Sequence, residues 1–410
     1  MKLSNNVPLK AKINAINRED IIWYVLLLIL LILTLITQSL AKNSVLEISN
    51  FYIPDSYTYE LRILTNKDSE DFLAQTYNIL NQFLYSLSSQ SFFIFNASLL
   101  FISLNLCRSV FQYISPKAVN YARLAIVGNP YLLIGAVGPN KETILIFVCL
   151  IFWKFFFVLN GQIRTIVLVI IGLIPLFIRP VVSFPLYLSL VIYKLIQKKI
   201  NKPRILLLLF LGSFFLFNST PFGNSVISGL QDDDVISFST SRIYDIALQL
   251  NSYSRDVILQ YPAFLAKSAI ILFAPIIRPL RILESPLPLL DIGYTIIALL
   301  LFPFNLSLVL VFLFGDKLTK RNFSSYESVI FFFTVCSILI VILNSILTFR
   351  YIFPFSPFIF SLFGVQTSQT RKYILYLTGI ITLLSIWFSI LYPSNDPIID
   401  EVIPEFLEWL

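Results

Sequence analysis

Apolar runs of near membrane-spanning length recur along this chain, and each one stops at a charge, a proline or a glycine. Ile21–Leu40 is the first such run, and Leu124–Val137 and Thr143–Leu159 flank the turn Val137-Gly138-Pro139-Asn140-Lys141-Glu142-Thr143. A helix needs roughly 17–25 predominantly apolar residues to cross a bilayer. No pattern constrains a fold more, because a backbone in lipid must satisfy its own hydrogen bonds and forms helices to do so. The 410 residues are 57% apolar and 13% charged, against about 25% charged in a soluble domain. The expected fold is all-α: a polytopic transmembrane bundle of about 11 spans.

The charges order the spans. Lys2, Lys10, Lys12 and Arg18 mark residues 1–20 as a cytoplasmic N-terminus. Ile21–Leu40 is longer than the apolar core of a secretory signal and reads as an uncleaved anchor. Residues 21–392 form one transmembrane bundle with external segments 41–90 and 218–286, and 393–410 is an acidic extracytoplasmic tail. In the first external segment, Phe72, Leu73, Thr76, Leu80, Phe83, Leu84 and Leu87 recur at roughly helical spacing. That spacing predicts an amphipathic helix on the membrane surface. The later spans are Ser91–Leu106, Tyr121–Val137, Thr143–Leu159, Thr165–Ile178, Val181–Tyr193, Ile205–Phe217, Leu287–Phe314, Val329–Leu347, Ile352–Phe363 and Ile374–Tyr392.

Pro262–Leu280 is interrupted by Lys267, Pro275 and Arg278, and reads as a re-entrant or interfacial helix. With the N-terminus in and the C-terminus out, cations concentrate inside and carboxylates outside, as the positive-inside rule requires. The net charge of +7 follows from that asymmetry and does not call for a nucleic-acid partner.

The chain has no histidine. That excludes Ser-His-Asp and Cys-His catalysis, HExxH zinc sites and histidine proton relays. Acid–base chemistry falls to Asp, Glu, Lys, Arg or Tyr. Cys107, Cys149 and Cys336 lie in or beside apolar runs and read as small buried hydrophobes. No Walker motif, dinucleotide-binding glycine motif or internal repeat is present.

Five cations stand at span ends or beside apolar helices on the outer face: Lys141, Arg179, Arg278, Arg281 and Arg350. Arginine is always charged and grips two oxygens at once, so such a set suits a phosphate or diphosphate. The alternative is that each snorkels to the interface or meets ordinary anionic lipid. The segment Ile53-Pro54-Asp55-Ser56-Tyr57-Thr58-Tyr59-Glu60 offers a carboxylate, Asp55, as proton acceptor, with Tyr57 and Tyr59 to stack on a sugar face. Asp55 equally reads as a helix N-cap. Asp232-Asp233-Asp234 reads as a solvated loop, and no metal site is expected.

These motifs occur in a recognisable order: Asp55-Ser56-x-x-Tyr59 in the first external segment, Gly-Pro-Asn-Lys-Glu between spans, Arg179-Pro180 at a span end, Arg278-Pro279-Leu280 after a broken apolar helix, and Arg350-Tyr351-x-x-Pro354-x-x-Pro357 near the end. The chain resembles the repeat-unit, or O-antigen, polymerases (Wzy-type) of bacterial surface-polysaccharide synthesis. It also resembles, more weakly, multi-span glycosyltransferases that use lipid-phosphosugar donors, although it lacks their adjacent pair of acidic residues. The resemblance implies glycosyl transfer between undecaprenyl-diphosphate-linked oligosaccharides on the outer face of the bacterial cytoplasmic (inner) membrane. It implies no cofactor, contacts with membrane lipids, and a flippase and chain-length regulator of the same pathway as partners. In that reading the cations hold the diphosphate, Asp55 or Glu142 takes the acceptor's proton, and Tyr57, Tyr59 and Tyr351 contact sugar. The rival from another class is a lipid-linked oligosaccharide flippase, for which repeat symmetry and midplane charges are expected and not found.

Overall fold

A computed structural model describes residues 18–42, 72–88, 90–197, 296, 299–310, 325–343 and 349–391. Among these residues every regular element is a helix. The chain order is α1 (Arg18–Lys42), α2 (Phe72–Leu87), α3 (Ser91–Phe111), α4 (Pro116–Val127), α5 (Pro130–Ile134), a 3-10 turn (Gly135–Val137), α6 (Lys141–Val158), α7 (Gly161–Ile178) and α8 (Pro180–Gln197). After these come α9 (Leu299–Leu310), α10 (Ser325–Leu343), a second 3-10 turn (Phe349–Phe355), α11 (Ser356–Val365) and α12 (Ser368–Leu391). The expected span Ile205–Phe217, the re-entrant helix Pro262–Leu280, the external segment 218–286 and the tail 393–410 lie outside the described residues.

Glu19–Ser39, Ser91–Phe111 and Gly161–Ile178 are long and apolar enough to cross a membrane. On the first, Ile22 and Leu33 are exposed while Leu27 and Leu31 are buried. On α7, Ile163, Ile166 and Ile170 are exposed. In water such faces are a liability, and a hydrocarbon surround removes it.

At the centre of the bundle is α6, which packs on α3, on α7 and on the second 3-10 turn. Its Trp153 is fully buried and meets Phe156 and Phe333 edge-on, at centroid separations of 4.9 and 5.2 Å. Such aromatic pairs add to the area they bury. The closest helix pair is α4 with α11. A Cβ on Gly364 would stand 2.5 Å from the backbone nitrogen of Ala118, so only a hydrogen fits there. Ala118 and Ala122 continue that narrow contact on α4, in the way small residues bring helix backbones together. Cys107, Cys149 and Cys336 are free and buried, as their apolar surroundings predict.

Two expected spans are remodelled. Tyr121–Val137 is not one continuous helix. Ser115 accepts a hydrogen bond from the Ala118 N–H, at 3.0 Å, and Pro116 occupies the first turn, so α4 begins earlier than expected. The chain then breaks at Gly128 and Asn129, where Asn129 caps the short α5 ahead of Pro130. Ile352–Phe363 divides between the second 3-10 turn and α11, all ten of whose residues are buried. A helix that is apolar all round belongs in a protein interior, and α11 alone reaches only about 15 Å.

A buried ion cluster ties the first helix to the bundle. Asp20 accepts from Arg123, at 2.7 Å, and from Arg108, which joins α1, α4 and α3. Asp20 and Arg123 are 4% and 2% exposed, and the Arg123 Nε also donates to the Leu104 carbonyl. Removing one member of a buried pair strands the other, at a cost of about 3–5 kcal/mol. Asp20→Ala is therefore expected to lower the melting temperature of the detergent-solubilised protein sharply. Arg108→Ala is expected to lower it less, since that side chain is 22% exposed. Equal melting of Asp20→Ala and wild type would contradict the assignment.

Candidate functional site

The turn between α5 and α6 is built around two asparagines. Asn140 has extended backbone angles and caps α6, its Oδ1 accepting from the Glu142 N–H at 3.0 Å. Asn96, buried on α3, donates to the carbonyls of Ala136 and Gly138 at 3.1 and 2.9 Å. The carbonyls left free where Gly138 and Pro139 interrupt the helix are thus satisfied from the neighbouring helix.

Onto this turn the fold brings an ion pair. Glu142 stands in the first turn of α6, where the helix dipole favours a negative charge. Arg179 is the C-cap of α7, where the dipole favours a positive one. Pro180 follows and holds Arg179 extended. The Arg179 Nη2 donates to the Glu142 Oε1 at 2.9 Å, with side-chain exposures of 10% and 4%. The other face of the same guanidinium lies over the Tyr351 ring, 4.5 Å from its centroid. Lys141 places its Nζ over the Tyr77 ring of α2, at 5.0 Å. Both are cation–π contacts, which hold a positive charge without neutralising it.

Of the residues singled out in the sequence, the fold therefore brings together Lys141, Glu142, Arg179 and Tyr351. Arg350 precedes Tyr351 in the same 3-10 turn. Asp55, Tyr57, Tyr59, Arg278 and Arg281 lie outside the described residues. Among the described residues no three His, Cys, Asp or Glu side chains gather as metal ligands would.

The residues of α2 divide between a buried and an exposed face. The helix forms as expected, but its buried face carries Tyr77, Asn78, Asn81 and Leu84, while Ile79, Phe83 and Leu87 point outward. The polar residues face the protein and the apolar stripe faces away, the reverse of a helix in water. Asn78, Asn81 and Asn96 went unread because an asparagine in an apolar stretch has no periodicity of its own. The available signal was their position on helices flanking the Gly-Pro-Asn-Lys-Glu turn.

The two ion clusters occupy opposite ends of α3. Asn96 reaches the turn that carries Glu142, and Arg108, twelve residues on, reaches Asp20, a separation of roughly 18 Å along the helix.

Compared with known proteins, the chain matches no protein-family model, no curated protein and no solved structure.

If Glu142 and Arg179 act as one unit, their removal is not additive. Glu142→Gln and Arg179→Gln are each expected to lower the melting temperature, and the double variant by clearly less than the two losses combined. Strict additivity would show that the pair is not coupled.

Proposed function

We propose that the protein is a repeat-unit polymerase of a bacterial surface polysaccharide, acting on undecaprenyl-diphosphate-linked oligosaccharides at the outer face of the cytoplasmic membrane. The observation that carries this reading is the convergence of Lys141, Arg179 and Tyr351 around the turn at the head of α6. Cations held in place against aromatic rings and a carboxylate are preorganised for a multiply charged anion. Membrane-length apolar helices support a lipid-borne substrate. The topology that goes with the reading is eleven spans, with the N-terminus inside and the C-terminus outside.

In the reaction, an acceptor hydroxyl oxygen attacks the anomeric carbon of the donor sugar. The bond from that carbon to the diphosphate oxygen breaks, and the electron pair leaves with undecaprenyl diphosphate. Arg179, with Lys141, Arg278, Arg281 and Arg350, stabilises the charge gathering on the leaving group. Asp55 takes the hydroxyl proton. Glu142, the other carboxylate considered for that step, already accepts from Arg179 and serves to aim it. Tyr57, Tyr59 and Tyr351 offer flat faces to the sugars. The donor bond supplies the driving force, so no nucleotide cofactor enters. A flippase and a chain-length regulator are the partners that such an activity requires.

The glycan ladder at the cell surface tests this reading. A charge-assisted contact is worth about 1.5–3 kcal/mol. Arg179→Ala and Arg350→Ala are each expected to slow transfer about 10- to 150-fold. Arg→Lys should rescue only in part, because an ammonium cannot make the two-pronged contact. Asp55→Asn should slow transfer about 100-fold or more. A polymerase defect leaves single repeat units and removes the longer bands. A shift of every band by one sugar would instead favour a single-sugar transferase with a polyprenyl-phosphate donor. A wild-type ladder from all variants, at normal expression, would overturn both.

A further inference from the structure

Arg179 stands at the tip of a helical hairpin, between α7 and α8, and each arm of that hairpin contains a proline: Pro175 in α7 and Pro185 in α8. A proline has no N–H, so each arm loses one backbone hydrogen bond close to the tip. Helices yield at such points. Side chains cross-link the two arms there. The Ser183 hydroxyl of α8 donates to the Gly172 carbonyl of α7 at 2.9 Å, and the Tyr187 hydroxyl donates to the Val169 carbonyl at 2.9 Å. Ser183 and Tyr187, at i,i+4 spacing, share one face of α8, and Val169 and Gly172, at i,i+3 spacing, share one face of α7. A Cβ on Gly172 would stand 2.8 Å from the Tyr187 ring, so the ring lies directly on the α7 backbone. Ser183 is buried. The tip itself is pinned on both sides. The Arg179 N–H donates to the Pro175 carbonyl at 2.7 Å, and the Arg179 carbonyl accepts from the Val182 N–H at 3.0 Å.

We propose that Ser183 and Tyr187 are positioning residues for Arg179: they clasp α8 to α7 across Pro175 and so fix where the guanidinium lies. Both bonds land on carbonyls N-terminal to Pro175, while Arg179 lies C-terminal to it, so the clasp closes over the weak point of the helix. The guanidinium meets the Glu142 Oε1 at 2.9 Å and the Tyr351 ring at 4.5 Å. A hydrogen bond weakens steeply with misalignment, so a swing of the tip about Pro175 costs the first contact directly. Gly172 belongs to the same device, because a side chain there would push the Tyr187 ring away from α7. The effect of the clasp on glycosyl transfer rests on the polymerase reading above; its effect on the Arg179–Glu142 contact does not.

The first readout is the coupling between Glu142→Gln and Arg179→Gln in the melting of the detergent-solubilised full-length protein, measured with and without the paired change Ser183→Ala, Tyr187→Phe. The second of these keeps the ring and removes only the hydroxyl. The paired change is expected to shrink the non-additivity by half or more. Tyr187→Phe alone, the milder change, is expected to act in the same direction. As a control, Thr378→Ala removes a buried hydroxyl bonded to the Ile374 carbonyl on α12. It is expected to lower melting and leave the coupling as it is. An unchanged coupling in the Ser183→Ala, Tyr187→Phe protein would overturn the proposal, because the two hydroxyls would then be structural only. The second readout is the glycan ladder. The paired change is expected to slow transfer about tenfold, since a misplacement of about 1 Å costs up to about 100-fold. It should add nothing where Arg179 is already Ala. An equal further loss in the Arg179→Ala background would show the hydroxyls acting elsewhere and would overturn the positioning role. A ladder slowed by Arg179→Ala but not by the paired change would overturn it as well. If the coupling falls while the ladder ignores even Arg179→Ala, the clasp stands and the polymerase reading fails.

Discussion

The contact between Arg179 and Glu142 fixes the geometry on which the rest of this end of the molecule depends. It joins the C-cap residue of α7 to the first turn of α6, two points 37 positions apart in the chain. Both charges are nearly removed from solvent, so neither is tolerable alone. The helix dipoles favour this arrangement and no exchange of the two residues, because the carboxylate sits at a helix start and the guanidinium at a helix end. With one edge of the guanidinium on a carboxylate and its face on Tyr351, the charge is aimed and held. That is a poor way to gain stability and a good way to prepare for an incoming anion.

The remaining architecture can be read as support for that end. α6 is gripped toward its C-terminal end by aromatic packing around Trp153. Its first residue is set by a turn whose carbonyls are held by Asn96. At the far end of α3, the Asp20–Arg108–Arg123 cluster anchors α1 with a second set of buried charges. Between the two ends apolar packing is joined by the close backbone approach at Gly364 and Ala118 and by side-chain hydrogen bonds such as that of Ser183 to the Gly172 carbonyl. Among the described residues the buried ion pairs are confined to these two clusters.

Much of this was legible in the sequence, for definite reasons. Apolar runs give helices because no other element satisfies its backbone within hydrocarbon, and α1, α3, α6 and α7 lie close to the expected limits. Lys141, Glu142, Arg179 and Tyr351 could be grouped because each adjoins a span end on the same inferred side, so alternation of the spans brings them to one end. Interior surroundings for three cysteines followed from their neighbours. Partner choice was not legible. That Arg123 meets Asp20, or that Asn96 holds the Gly138 carbonyl, depends on which helices touch, and periodicity carries no such information. The break at Gly128 and Asn129 was written in the chain as a cap followed by a proline, and the apolar run around it concealed the signal.

The central claim is that the Glu142–Arg179 end faces outward and the Asp20–Arg123 end faces the cytoplasm. Reporter fusions measure this directly, with alkaline phosphatase, active only outside, or a fluorescent protein, active only inside, joined after Asn140 or after Lys117. The account predicts phosphatase activity after Asn140 and fluorescence after Lys117. Reports from the same side, or the reverse pair, would contradict it, because the cation site would then have no access to an externally presented substrate.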